Sequence, residues 1–201
     1  MAGQAVFNVI KLLYMVVHYL GEGCFRLQSG EVSLLVDPHN NRLKANVILR
    51  TLIPSNLAGF EPTEIVFPGE YEMKGLVIQG HPVTPESTAK FLKTIYLVHW
   101  EEMSLVFLGH LSRQPEADIL EKIGQPDVLF LPFDSAHFLP AEAAAKIVKQ
   151  LSPHFVIPSF SKEPAELAKI LGRKAEPQEK LVFKRKDLAG ERGQVIILSA
   201  S

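Results

Sequence analysis

An imidazole on a loop can ligate a metal or move a proton near neutral pH. His110, just after an apolar run ending in Leu108-Gly109, is the histidine with the strongest claim to either role. Glu22, Asp37, His39, Glu70 and His81 are the side chains that could join it if their loops converge. A stable zinc site needs three or four convergent ligands. Spacing alone assembles no such set around His110, so a histidine that packs or hydrogen-bonds stands as the plain alternative.

Asp134-Ser135-Ala136-His137 contains the residue types of a serine triad, but adjacency in sequence is not triad geometry, and no Gly-x-Ser-x-Gly turn occurs. Asp134 or Ser135 is instead expected to fix the turn before a helix near Pro140. Cys24, the only cysteine, rules out an intramolecular disulfide and any paired-cysteine zinc or redox motif. It lies in an apolar run without a basic neighbour to activate it, so a buried, inert thiol is expected.

The elements that must position these groups change character along the chain. Short apolar or β-branched runs at 15–20, 24–28 and 32–36, separated by glycines, predict a β meander. Further strands are expected at 46–50, 64–67, 76–79, 94–100 and 104–108, with Glu101-Glu102 turning between the last two. In the 94–100 run, Ile95, Leu97 and His99 share one face and Tyr96, Val98 and Trp100 the other, which predicts a strand covered on both sides. Helical spacing then appears at 115–123, 140–151 and 164–171, each with proline near its start, alternating with strands at 127–131 and 154–157. Strands at 181–186 and 195–198 close the chain, and Lys184-Arg185-Lys186 reads as a charged edge strand.

With 47% hydrophobic and 21% charged residues and a net charge of −1, the composition is that of one globular domain. It gives no general electrostatic argument for nucleic acid or an anionic membrane. The segment 5–20 is apolar but carries Asn8, Lys11 and His18, too polar and too short for the roughly 20 apolar residues of a spanning helix. Residues 1–14 are read as an apolar extension and 15–201 as the domain. A reducing cytoplasm fits the single thiol.

Phrases in order along the chain resemble the compact zinc-dependent hydrolases of the metallo-β-lactamase superfamily, especially those similar to L-ascorbate-6-phosphate lactonase. They are Tyr19-Leu20-Gly21, Leu34-Leu35-Val36-Asp37-Pro38, Pro68-Gly69-Glu70-Tyr71-Glu72, Val106-Phe107-Leu108-Gly109, Pro126-Asp127-Val128-Leu129-Phe130-Leu131-Pro132 and Val156-Ile157-Pro158. The resemblance implies an α/β fold, an αββα sandwich of two mixed β-sheets flanked by helices, with the site on loops at one sheet edge. Zinc there would lower the pKa of bound water toward about 7 for hydrolysis.

The family's metal loop reads Thr-His-x-His-x-Asp-His. Here Thr51 is kept, but the histidine positions hold Leu52, Pro54 and Leu57, and the aspartate position holds Asn56. The family's bridging aspartate becomes His110, its late histidine becomes Phe160, and its Leu-Gly-His becomes Leu20-Gly21-Glu22. By the same resemblance, Asp37 and Glu70 belong to the loop framework rather than the ligand set. The expectation is a protein without zinc or other cofactor and without catalysis, in a binding or assembly role. It would be a homo-oligomer with a possible protein partner, and would engage neither nucleic acid nor membrane. The alternative is a hydrolase with a rebuilt site of His110, Glu22 and Glu70, acting on a phosphorylated or lactone-like substrate.

Overall fold

A computed structural model describes residues 14–133 and 137–201. The N-terminal half forms β1 (Met15–Gly21), β2 (Cys24–Ser29), β3 (Val32–Val36), β4 (Val47–Leu49), β5 (Leu52–Pro54), β6 (Glu64–Ile65), β7 (Gly69–Met73), β8 (Leu76–Pro82), β9 (Phe91–Trp100) and β10 (Met103–Phe107). Helices α1 (Ala117–Ile123), α2 (Ala141–Leu151) and α3 (Ala165–Ile170) then alternate with β11 (Val128–Pro132) and β12 (Phe155–Ser159). The chain ends in β13 (Pro177–Gln178), β14 (Lys180–Phe183), β15 (Gln194–Val195) and β16 (Ile197–Leu198).

Of the two large sheets, one has the order β14-β1-β2-β3-β4-β6 and the other runs β15-β12-β11-β10-β9-β8-β7 with β5 added beside β9, while β13 and β16 form a small parallel pair. Both large sheets are mixed. The first is antiparallel through β14, β1, β2 and β3 and parallel at β3/β4/β6. The second is antiparallel from β7 to β10 and parallel at β10/β11/β12/β15.

Alternation along the strands explains why the sheets stack. Met15 and Val17, Phe25 and Leu27, and Leu34 and Val36 point inward from the first sheet, and meet Tyr96, Val98, Leu105, Phe107 and Phe130 from the second. Phe130 stacks on Phe107 at 4.3 Å and meets Phe25 edge-on at 4.8 Å, so aromatic packing joins the two sheets. The opposite face of the second sheet, with Ile95, Leu97, Val106 and Leu129, carries Ile119 and Leu120 of α1, Ile147 and Leu151 of α2, and Leu167 of α3. The two-faced reading of the 94–100 run therefore holds for Ile95 and Leu97 on one side and Tyr96, Val98 and Trp100 on the other, whereas His99 is exposed near the strand end, and Glu101 and Glu102 turn between β9 and β10 with φ of 52° and 58°.

The segment after β4 departs from the loop expected there. Leu52, Ile53 and Pro54 pair as β5 with Lys93, Leu92 and Phe91, because β9 begins earlier than the alternating pattern suggests and offers its edge. Glu70 likewise lies in β7, opposite Gln79, rather than in a loop. The basic run is also corrected. β14 stops at Phe183, and Arg185–Ala189 forms a 3-10 helix. Arg185 is held there by the buried Asp127 carboxylate, 2.8 Å away, which also accepts hydrogen bonds from the Ser104 amide and hydroxyl. The 1–14 extension lies outside the described residues apart from Tyr14.

Cys24 is fully buried on the outer face of the first sheet with Leu35 and Ile48, under Leu20, Leu43 and Ala45. Burial, reinforced by the nearby Asp37 charge, pushes its thiol up to about 11. A thiol reagent should therefore label the native protein far more slowly than the denatured chain; equal rates would contradict this environment.

Candidate functional site

Four chain segments meet at one edge of the sandwich: the ends of β3, β4, β10 and β12. Asp37, just after β3, has φ 47°, and its side chain turns onto the residue following β4. Its Oδ1 accepts the Thr51 amide hydrogen at 2.7 Å, and its Oδ2 lies 2.5 Å from Thr51 Oγ1. Thr51 Oγ1 in turn lies 2.9 Å from His110 Nδ1, which is 3.7 Å from Asp37 Oδ2. The three side chains form one line of hydrogen bonds across the junction of the two sheets.

The approach is close because residue 109 is glycine. A Cβ there would stand 2.3 Å from the Thr51 side chain, and its φ of 61° further favours glycine. The His110 turn is also fixed from behind. Lys93 donates to the His110 carbonyl at 2.7 Å and pairs with Glu86 at 2.8 Å, while Glu86 accepts from the Ser112 amide and hydroxyl. Lys93 and Ser112 together hold Glu86 below the usual carboxylate range despite its burial.

Aromatic rings close the other side. Phe160, after β12, has φ 62°, and its ring lies 4.9 Å from that of His110 and stacks at 4.2 Å on Phe138. It also occupies the space over Gly23, where a Cβ would come within 2.0 Å of Phe160 Cζ. Glu22, Asp37 and Phe160 thus all have left-handed backbone at one edge, a strained arrangement for non-glycine residues that tertiary packing must maintain.

Electrostatically the centre disfavours charge. Burial is the largest influence on both ionisable groups, raising Asp37 and lowering His110, while each partly opposes the shift of the other.

The expected residues separate into groups. His110, Asp37 and Phe160 come together here. Leu52 and Leu57 are half-buried on and just after β5, whereas Pro54 and Asn56 are exposed. Glu22 is exposed beside Gly23, and His39 is exposed beyond Asp37. Glu70 and His81 do not converge on His110 and instead line a different cleft with Gln79 and Lys122. Asp134 and Ser135 lie outside the described residues, and His137 is exposed. Among the described residues, no group of three or more His, Cys, Asp or Glu side chains is placed to hold a metal. Sequence reasoning gave Thr51 no role and missed Phe138, Lys93 and Glu86. Only Thr51 carried a signal, as a polar residue directly after a buried strand.

Comparison with known proteins gives a family match over residues 16–159, to the β-lactamase superfamily domain. No curated protein matches the chain. A solved structure from Thermotoga maritima, a candidate zinc-dependent hydrolase of the metallo-β-lactamase superfamily, superposes with TM-score 0.75 at 19% identity, covering 92% of this chain and 98% of that one. The metallo hydrolase Igni18 from Ignicoccus hospitalis gives 0.66 at 16%, covering 85% and 99%. The metallo-β-lactamase fold protein YhfI from Bacillus subtilis gives 0.64 at 12%, covering 94% and 98%. At these identities the likeness is one of fold.

Gly23→Ala should destabilise by about 2–4 kcal/mol through strain and overlap with Phe160. Adding Phe160→Ala should cost less than the sum of the two single changes, by about 1 kcal/mol or more in a denaturation cycle; strict additivity would remove the Gly23–Phe160 contact. Because His110 is lowered in the folded state, the unfolded chain binds its proton first as pH falls. Stability should decline below about pH 6.5, the ordinary histidine value. His110→Gln should flatten part of that decline in urea midpoints; superimposable curves would contradict the buried imidazole.

Proposed function

The chain belongs to the β-lactamase superfamily, and we propose that it is a member without zinc-dependent hydrolysis, acting through binding or assembly. One observation carries this reading. The stretch resembling the family's metal loop is β5 and its continuation, and it supplies Leu52, Pro54, Asn56 and Leu57, with no imidazole, carboxylate or thiol. At the site edge a zinc ion would meet one imidazole, His110, with Nδ1 already hydrogen-bonded, and one carboxylate, Asp37, with both oxygens engaged by Thr51. Phe160, at the position that resembles the family's late histidine, offers no donor atom. That donor set does not fit a tetrahedral zinc centre, which draws on several free nitrogen, sulfur or oxygen donors.

A second reading, a hydrolase rebuilt around His110, draws its support from the Asp37–Thr51–His110 line. Glu70 lies in another cleft and has no place in it, leaving Glu22 as the remaining acidic candidate. Assembly as a homo-oligomer through the apolar N-terminal residues belongs to the first reading. No helix among the described residues is long and apolar enough to cross a membrane.

Protein purified without a histidine tag should contain no stoichiometric zinc or manganese, and a chelator should leave its melting temperature unchanged. About one metal per chain, lost in His110→Ala, would overturn the first reading. A chain beginning at Met15 should sediment as a smaller species than the full chain; identical sedimentation would remove the assembly role of the N-terminal residues.

A further inference from the structure

Thr51 Oγ1 sits between a carboxylate oxygen 2.5 Å away and an imidazole nitrogen 2.9 Å away, yet it has one proton to donate. Two neutral-imidazole arrangements satisfy both contacts with the Thr51 proton itself placed within the line. In one, Thr51 donates to an ionised Asp37 and accepts from His110 Nδ1–H, which leaves Nε2 with a lone pair. In the other, a protonated Asp37 donates to Thr51, Thr51 donates to Nδ1, and the imidazole proton resides on Nε2. They differ by a concerted shift of protons along the line.

We infer that Asp37, Thr51 and His110 form a proton relay that takes a proton at His110 Nε2 and stores it on the buried Asp37 carboxyl. In the step, a donor X–H loses its proton to Nε2 as the Nδ1–H bond breaks toward Thr51 Oγ1. The Thr51 hydroxyl proton passes to Asp37 Oδ2, and X leaves as its anion. The imidazole is neutral before and after, and the negative charge moves from the buried carboxylate to X at the edge of the site. Burial favours this direction, since it disfavours both an ionised Asp37 and a charged His110. The His110 side chain is 20% exposed, and among the described residues no hydrogen bond engages Nε2.

The surrounding charges shape what that donor is. Lys93 faces the His110 turn but is held by Glu86 and the His110 carbonyl, and Arg50, beside Asp37, is held by Glu64 and the Pro38 carbonyl. The Cys24 thiol near Asp37 is neutral. Phe138 and Phe160 bring no charge. With both nearby cations committed, the chemical class that suits Nε2 is a small neutral O–H or N–H acid with an aromatic or apolar body, rather than a phosphorylated anion. This goes beyond the non-hydrolytic reading and needs only that no metal occupies His110.

Nitrogen-15 NMR of the His110 ring, followed with the carboxyl carbon of Asp37 across pH, tests the relay in the full chain. The expected result is one shared midpoint, at which Asp37 takes up a proton and His110 switches from Nδ1–H to Nε2–H without an imidazolium signal. Thr51→Val should split this into separate titrations and Thr51→Ser should restore it. The wild-type spectra decide the matter even if Thr51→Val fails to fold. An imidazolium forming while Asp37 stays ionised, or a tautomer indifferent to Asp37, would overturn the relay. Phenol added at neutral pH should shift Nε2 before any other histidine nitrogen; no response would overturn the ligand class. Stoichiometric metal in the same sample would instead mark failure of the non-hydrolytic reading.

Discussion

The carboxylate of Asp37 is the constraint around which the site edge is built. A buried carboxylate left without donors is costly, by amounts that a small domain cannot readily absorb. Here Thr51 satisfies both oxygens, one through its amide and one through its hydroxyl. Those bonds draw the end of β3 onto the residue after β4, and they fix the direction in which the chain continues into β5. The second sheet enters through His110, whose imidazole shares the Thr51 hydroxyl, and through Gly109, whose missing side chain admits Thr51.

Two supports keep this junction from relaxing. The Lys93–Glu86 pair, with Glu86 side-chain exposure of 5%, pins the backbone of the His110 turn. A partly buried, hydrogen-bonded pair of this kind fixes geometry more reliably than it adds net stability. On the far side Phe160, in left-handed backbone, presses its ring over Gly23 and against Phe138. Strain and stacking act together there: the backbone conformation costs free energy, and aromatic packing offsets it. The result is an edge where polar groups are few and mutually engaged.

The fold itself was largely legible because burial imposes period. Buried Met15 and Val17 alternate with the half-buried Val16 and His18, the 94–100 run is largely apolar on both faces, and the α2 stretch places Ala144, Ile147, Val148 and Leu151 on one side. β5 was not legible, because Leu52-Ile53-Pro54 is too short to show alternation and pairs with a strand some 40 positions later. The end of β14 was missed for a similar reason. Lys184-Arg185-Lys186 looks like an exposed strand edge until the distant Asp127 captures Arg185.

At the site the division follows the same physics. The sequence by itself determined which atoms are available: a phenyl at position 160, leucines and proline after Thr51, one imidazole at 110, and one cysteine in an apolar run. These are covalent facts, and they limit the possible chemistry before any folding is considered. Tertiary structure alone decided which atoms meet. Asp37 and His110 are far apart in the chain and become neighbours only when the two sheets stack, while Glu70 and His81 are carried by β7 and β8 to another cleft. Pairing register and sheet stacking are long-range properties, set by the burial of the whole core rather than by local spacing, so no pattern along the chain could have placed a threonine hydroxyl between a carboxylate and an imidazole.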